Sequence, residues 1–148
     1  MTNGISVKKR NGRGTEPLDL EKMHKMVEDA TKGITGVSAS QVEIQSGIQF
    51  YDGITTGEIQ EILIKSASDL ITLDNPNYQY VAARLLLFAV RKQIYGKIRE
   101  LPHLEQHIYS CTNIDVYDKD IFTKYSKEEI DKVNGFIDHE RDFLFTYA

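Results

Sequence analysis

Three observations predict a mainly α protein with a short N-terminal β-hairpin. Four stretches open on an Asp, Ser or Thr in capping position and continue with apolar residues at helical spacing. One long segment, Tyr80 to Val90, is almost wholly apolar and uninterrupted by Gly or Pro. Near the N-terminus the dipeptide Asn11-Gly12 divides two short runs, and both of its residues tolerate positive φ, as a hairpin turn requires.

In chain order, the hairpin covers residues 5–10 and about 15–18. Arg13-Gly14 makes its loop longer than the two-residue ideal, and Pro17 directs the second run to a sheet edge. Asp19 caps a helix with Leu20, Met23, Val27 and Ala30 at helical spacing and Gly33 as its stop. Ser38 and Gln41 then form a capping-box pair. The run behind them fits two readings. Val42, Ile44, Ile48 and Phe50 alternate as in a strand, while Val42, Ile48 and Tyr51 share a broad helical face, and the capping pair favours helix.

Thr55 and Glu58 make a further capping box ahead of Ile59, Ile62, Leu63, Leu70 and Ile71, a clear amphipathic helix. Asn75-Pro76 opens the long apolar helix, with proline in the first helical position. That helix runs to about Tyr95, stops at Gly96, and is apolar over most of its circumference, which predicts a buried central position. Beyond Leu101-Pro102 come a short helix around Leu104–Tyr109, an irregular stretch from Asp115 to Asp120, and a helix capped by Ser126 and Glu129. The final aromatics Phe143, Phe145 and Tyr147 lack an obvious partner and read as the start of something larger. A boundary is expected near residue 97.

Composition narrows the function classes. The chain has 148 residues, 41% of them hydrophobic and 27% charged, which suits a soluble globular protein. A net charge of −4 argues against a general nucleic-acid binder and leaves room for a local basic pocket. Cys111 is the only cysteine, so no intrachain disulfide or redox pair can form. No apolar leader or membrane-length run is evident, and the expected location is cytoplasmic.

The candidate chemistry is anion binding. Lys8, Lys9, Arg10 and Arg13 cluster on the hairpin, either as a solvated edge or as a phosphate site. Strand alternation assigns Val7 and Lys9 to one face, Lys8 and Arg10 to the other. The helix starts at Asp19 and at Thr55/Thr56 offer free N–H groups, and Gly57 permits close backbone approach. His103, His107 and Cys111 stand at i, i+4 and i+8, but the outer two lie about 12 Å apart along a helix, too far for one ion. The sequence therefore predicts neither a metal site nor catalytic residues.

The ordered set VKKRNG, LDLEKMH, SQVEIQSGIQFYDGITTGEIQE and NPNYQYVAARLLLFAVRKQIYG resembles the ATP-cone. This is the N-terminal regulatory domain of the large chain of class I ribonucleoside-diphosphate reductase. Two segments, SQVEIQSGIQFYDGITT and YQYVAARLLLFAVRKQIYG, are especially similar to enterobacterial and T4-like phage forms. The resemblance implies a four-helix cap under a β-hairpin over residues 1–97, with Ser38–Asp52 helical. Residues 98–148 would be the helical start of a catalytic domain whose radical and redox cysteines are not among them.

It further implies ATP or dATP, with Mg2+, as an allosteric effector of deoxyribonucleotide synthesis. Contacts would fall on Lys9, Glu16, Pro17, Leu18, Asp19, Leu20, Glu21, Lys22, Thr56 and Lys92, with Val7, Arg10 and Ile59 nearby. Lys9, Lys92 and Arg10 would offset phosphate charge. Glu16 and Asp19 would accept from the base amino group or the ribose. Val7 and Ile59 would give apolar walls. Partners would be the reductase small (beta) chain and the rest of the large chain, and the chain alone should be inactive. Two departures bear on selectivity: Gln60 stands where relatives carry histidine, and Asp19 where they carry asparagine. An alternative is a degenerate cone acting as an interaction module for the small chain or a separate catalytic fragment. A cone-bearing transcriptional repressor would need a zinc ribbon, which one cysteine excludes.

Overall fold

The computed structural model describes residues 4–147; Met1–Asn3, on which part of the leader reading falls, and Ala148 lie outside it. Contacts divide the described residues into two units, 4–90 with 142–147, and 91–141.

The first unit begins with β1 (Ser6–Lys8) and β2 (Thr15–Pro17), antiparallel with Val7 opposite Glu16. The loop between them is closed by Lys9 N–H donating to Gly14 O at 3.1 Å and Gly12 N–H to Lys9 O at 3.1 Å. Gly12 has φ 66°, the left-handed value that this turn demands. Pro17 lies on an edge strand, as expected.

Helix α1 (Leu20–Thr31) starts on Asp19, whose carboxylate accepts from Lys22 N–H at 3.0 Å, and it buries Val27 and Ala30. Helix α2 (Ala39–Gly47) starts on Ser38 and ends sooner than the resemblance implies. Ile48–Asp52 is turn and irregular backbone, and Ile44 and Ile48 are exposed at 69% and 81%. The helical reading of Ser38–Asp52 is thus corrected at its C-terminal end. Gly53, at φ 82°, redirects the chain into a strand there instead.

That strand, β3 (Ile54–Thr55), is absent from the sequence reading. It pairs parallel with β1, Val7 with Ile54 and Lys8 with Thr55, so the hairpin becomes a three-stranded sheet of order β2-β1-β3. Asp52 fastens the approach: its Oδ1 accepts from Ser6 N at 2.8 Å and Ser6 Oγ at 2.6 Å.

Helix α3 (Thr56–Asp69) follows directly on the complete capping box of Thr55 and Glu58. Helix α4 (Tyr78–Tyr95) begins two residues after Pro76, which sits in a turn rather than at the first helical position. It ends before Gly96, φ 73°. Tyr78, Val81, Ala82, Leu85 and Phe88 are buried with Val7, Val27, Val42, Ile54 and Leu63 in the core. The expected buried, central position holds for one face of α4 only, since Leu86 and Val90 are exposed at 43% and 42%. A helix packed from one side leaves its opposite stripe in solvent whatever that stripe's composition. The terminal aromatics are also partly accounted for. Phe143 meets Phe88 edge-to-face at 6.4 Å and carries the Arg84 guanidinium at 5.1 Å, and Tyr147 N–H donates to Gln79 O at 3.0 Å.

The second unit contains the end of α4, α5 (Leu104–Asn113), α6 (Ile121–Lys124), α7 (Lys127–Asn134), and the start of a 3-10 turn at His139–Leu144. Helix α5 is longer than expected, and α7 carries the Ser126–Glu129 capping box in full. Ile108, Thr112 and Ile130 are buried between α5 and α7, and Leu104 N–H donates to Asn134 Oδ1 at 2.9 Å. Among the described residues no helix is long and apolar enough to cross a membrane.

Candidate functional site

The parallel pairing of β3 with β1 builds the site. Because Thr55 is both the end of β3 and the N-cap of α3, the pairing brings the hairpin and the start of α3 together. Thr55 spends its hydroxyl on the cap, accepting from Glu58 N–H at 3.2 Å. Its neighbour Thr56 is the first helical residue, and the positive end of α3 is directed there.

The hairpin cations meet different partners. Lys9 Nζ lies 2.9 Å from Glu16 Oε2 on the adjacent strand. That contact, first among the causes, holds the Glu16 carboxyl below the usual carboxylate range. Arg10 donates from Nη2 to Gln60 Oε1 at 2.8 Å, reaching from the loop to the second turn of α3. The alternation that assigns Arg10 to the Lys8 face therefore fails, because β1 ends at Lys8 and Arg10 lies in the turn. Lys8 lines the Gly53 turn and, with the Ser6 and Thr55 hydrogen bonds that dominate, helps lower the Asp52 and Glu58 carboxyls.

The turn from Glu16 to Lys22 closes the side of the hairpin. Leu18 N–H donates to Ile5 O at 3.0 Å, extending the ladder past Pro17. Asp19 is committed to α1: its backbone bond with Lys22, chiefly, lowers its pKa, and Lys22 Nζ stands 3.4 Å from it. Leu20 and Glu21 are exposed in the first turn of α1. Val7 is buried at 3% exposure and Ile59 is half-buried.

Within the first unit, contacts join Lys9 to Glu16, Val7 to β2 and β3, and Arg10 to α3 through Gln60, while Asp19 and Lys22 pair with each other. Lys92 is exposed in the last turn of α4 and is counted with the second unit. Sequence reasoning tied Gln60 to selectivity through the histidine it replaces, and missed its bond to Arg10. The available signal was its spacing, four residues after Thr56 and so on the same helical face.

In the second unit His103, Glu105 and Asp131 lie together, but the histidine already has a role. Its Nδ1 accepts from Glu105 N–H at 3.2 Å as the cap of α5, and its Nε2 faces Asp131 at 3.4 Å. An imidazole accepting at one nitrogen carries its proton on the other, so Nε2 donates and offers no lone pair to a metal. His107 lies edge-on to Tyr95 at 5.2 Å and Tyr117 at 5.8 Å, with Cys111 Sγ 3.6 Å from its Nε2.

Comparison with known proteins gives the family. The chain is 45% identical over all 148 residues to the ribonucleoside-diphosphate reductase 1 subunit alpha of Escherichia coli. It is equally similar, 45% over 148 residues, to the corresponding subunit alpha of Haemophilus influenzae. With that of Enterobacteria phage T4 it shares 40% over 146 residues, 97% of the chain. In each case it spans 19% of the relative's length. The matched part is the N-terminal region of those subunits. The family model of the ATP cone domain matches residues 5–93, which hold the sheet and α1 to α3 entire and most of α4, and the chain belongs to that family.

Proposed function

We propose that this chain is the allosteric part of a ribonucleoside-diphosphate reductase alpha chain and binds ATP or dATP, with Mg2+ accompanying the triphosphate. One observation carries the reading: Lys9 and Arg10 stand in the loop directly after β1, the strand that β3 ties to the positive end of α3. Cations, helix-start N–H groups and a hydroxyl at Thr56 together form a receptor for an oligophosphate. Lys9 and Arg10 neutralise phosphate charge, and Lys92 adds a third cation. Glu16 and Asp19 supply acceptors for the base amino group or ribose, within the Pro17–Lys22 turn. Ile59 gives apolar surface, and Val7 supports the hairpin from beneath.

Residues 1–97 form the regulatory domain in this reading and 98–148 lead towards catalytic residues outside this chain. The chain alone then turns over no ribonucleotide, and its partners are the reductase beta chain and the remainder of alpha. Calorimetry should give saturable heat with ATP or dATP. Lys9→Ala and Lys92→Ala should each weaken binding about tenfold, the worth of a charge-assisted hydrogen bond. Absence of binding to folded protein overturns the reading, and unchanged affinity in both variants overturns the site assignment.

A second reading, a cone serving as an interaction module, draws on the open groove between α1 and α2. Leu20, Met23, Ile44 and Phe50 line it, with His24 and Glu43 at its edge. Retention of beta chain without nucleotide, by protein that binds none, would favour this reading over the first.

A further inference from the structure

The two hairpin cations are held in chemically different ways, and the difference gives them separate parts in the binding just proposed, on which this inference rests. Lys9 is already neutralised. Glu16, opposite Val7 on β2, puts a carboxylate oxygen 2.9 Å from the ammonium. Both side chains are about two-fifths exposed, at 43% and 40%, so the pair is open to competition from solution. An anion approaching Lys9 therefore meets one already in place.

Arg10 is held by a neutral group. Its side chain bonds the Gln60 amide oxygen at 2.8 Å, and among the described residues it makes no ion pair with a carboxylate. An amide dipole orients the guanidinium and leaves its full charge available, with further N–H donors in the same plane. Gln60 is a firm anchor, 9% exposed within α3. It lies one turn beyond Thr56 on the same face, so the guanidinium is moored beside the positive end of the helix.

We propose that Glu16 is an internal counter-ion that an incoming oligophosphate displaces from Lys9, while Arg10, positioned by Gln60, makes the first contact. Binding then exchanges one anion for another on Lys9 and frees Glu16 to accept a hydrogen bond elsewhere. Of the two hairpin cations, Arg10 then makes the first phosphate contact and Lys9 the second.

The test titrates inorganic tripolyphosphate and ATP into the full 148-residue chain at low salt. Glu16→Gln should bind tripolyphosphate about two- to fivefold more tightly, the range for an exposed ion pair, and this gain should vanish in a Lys9→Ala background. Arg10→Ala should lose about tenfold. Gln60→Leu should weaken tripolyphosphate binding in the wild-type chain and leave it unaltered when Arg10 is already alanine, which separates positioning from general structural damage. Glu16→Ala repeats the first measurement without the amide, with circular dichroism checking the fold. Unchanged or weaker tripolyphosphate binding by both Glu16 variants overturns the counter-ion role. If ATP still binds wild type in that case, the nucleotide reading stands and only this inference falls. If wild type binds no ATP, the nucleotide reading falls, and the tripolyphosphate arm still judges the counter-ion.

Discussion

His24 illustrates how much one side chain can commit. Its Nδ1 lies 2.6 Å from Glu43 on α2 and its Nε2 3.2 Å from Glu28 on α1. Both nitrogens can donate only in the imidazolium, and Glu43 first, then Glu28, raises the His24 pKa. A folded pKa above the unfolded value of about 6.5 gives stabilisation that is complete below that pH and lost as pH rises through the folded pKa. Urea unfolding of wild type should therefore show stability falling from about pH 6.5 upwards. Glu43→Gln should flatten that decline, and an equal decline in the variant would deny His24 the role. The residue scale is also where sequence reasoning served well. Asp19, Ser38, Thr55 and Ser126 all cap the helices that their side chains announce, because a cap is a contact between residues three apart.

Among the elements, β3 matters most and was least visible. Two residues are too few to display a period of two, and Ile54–Thr55 lies between helical signals that claim its neighbours. Its position depends on Gly53, whose φ of 82° turns the chain back beside β1 and lets its N–H donate to Ser6 O at 2.9 Å. A Cβ there would stand 3.7 Å from Lys8 Cε, an ordinary contact, so the cost of Gly53→Ala is backbone strain rather than collision. That variant should lose about 1–2 kcal/mol by chemical denaturation. Since β3 links hairpin to α3, its nucleotide affinity should fall as well. Full stability and affinity would mean that the turn adapts. Helix α2 makes the complementary point. Its periodicity beyond Gly47 is ambiguous, and the strand pairing that follows ends the helix early.

At the scale of the whole molecule, the apolar count of a helix did not determine its burial. Helix α4 is apolar on most sides, yet Leu86 and Val90 remain exposed, because burial depends on what lies opposite. Phe143 is the converse, a terminal aromatic without a visible partner that meets Phe88 and Arg84 from more than 50 positions away. If the proposed site binds the native state alone, ATP at about a hundred times its dissociation constant should stabilise the chain by about 2.7 kcal/mol. A thermal melt with and without nucleotide measures this, and a tenfold weaker Arg10→Ala should lose about half of the shift. No shift at saturating ATP would mean that ligand does not discriminate folded from unfolded chain.

By itself the sequence determined what neighbours along the chain can decide: the hairpin turn, the helix starts, the stops at glycine, and the residues that carry family resemblance. It also pointed to Lys9, Arg10 and Thr56 as the side chains of the proposed anion site. Tertiary structure alone decided how these are deployed. The two-residue strand, the hold of Glu16 on Lys9, and the bond from Arg10 to Gln60 all join residues by packing and hydrogen bonding across separations of 7 to 50 positions. Local periodicity is blind at that range, since it reports only which face of one element a residue occupies.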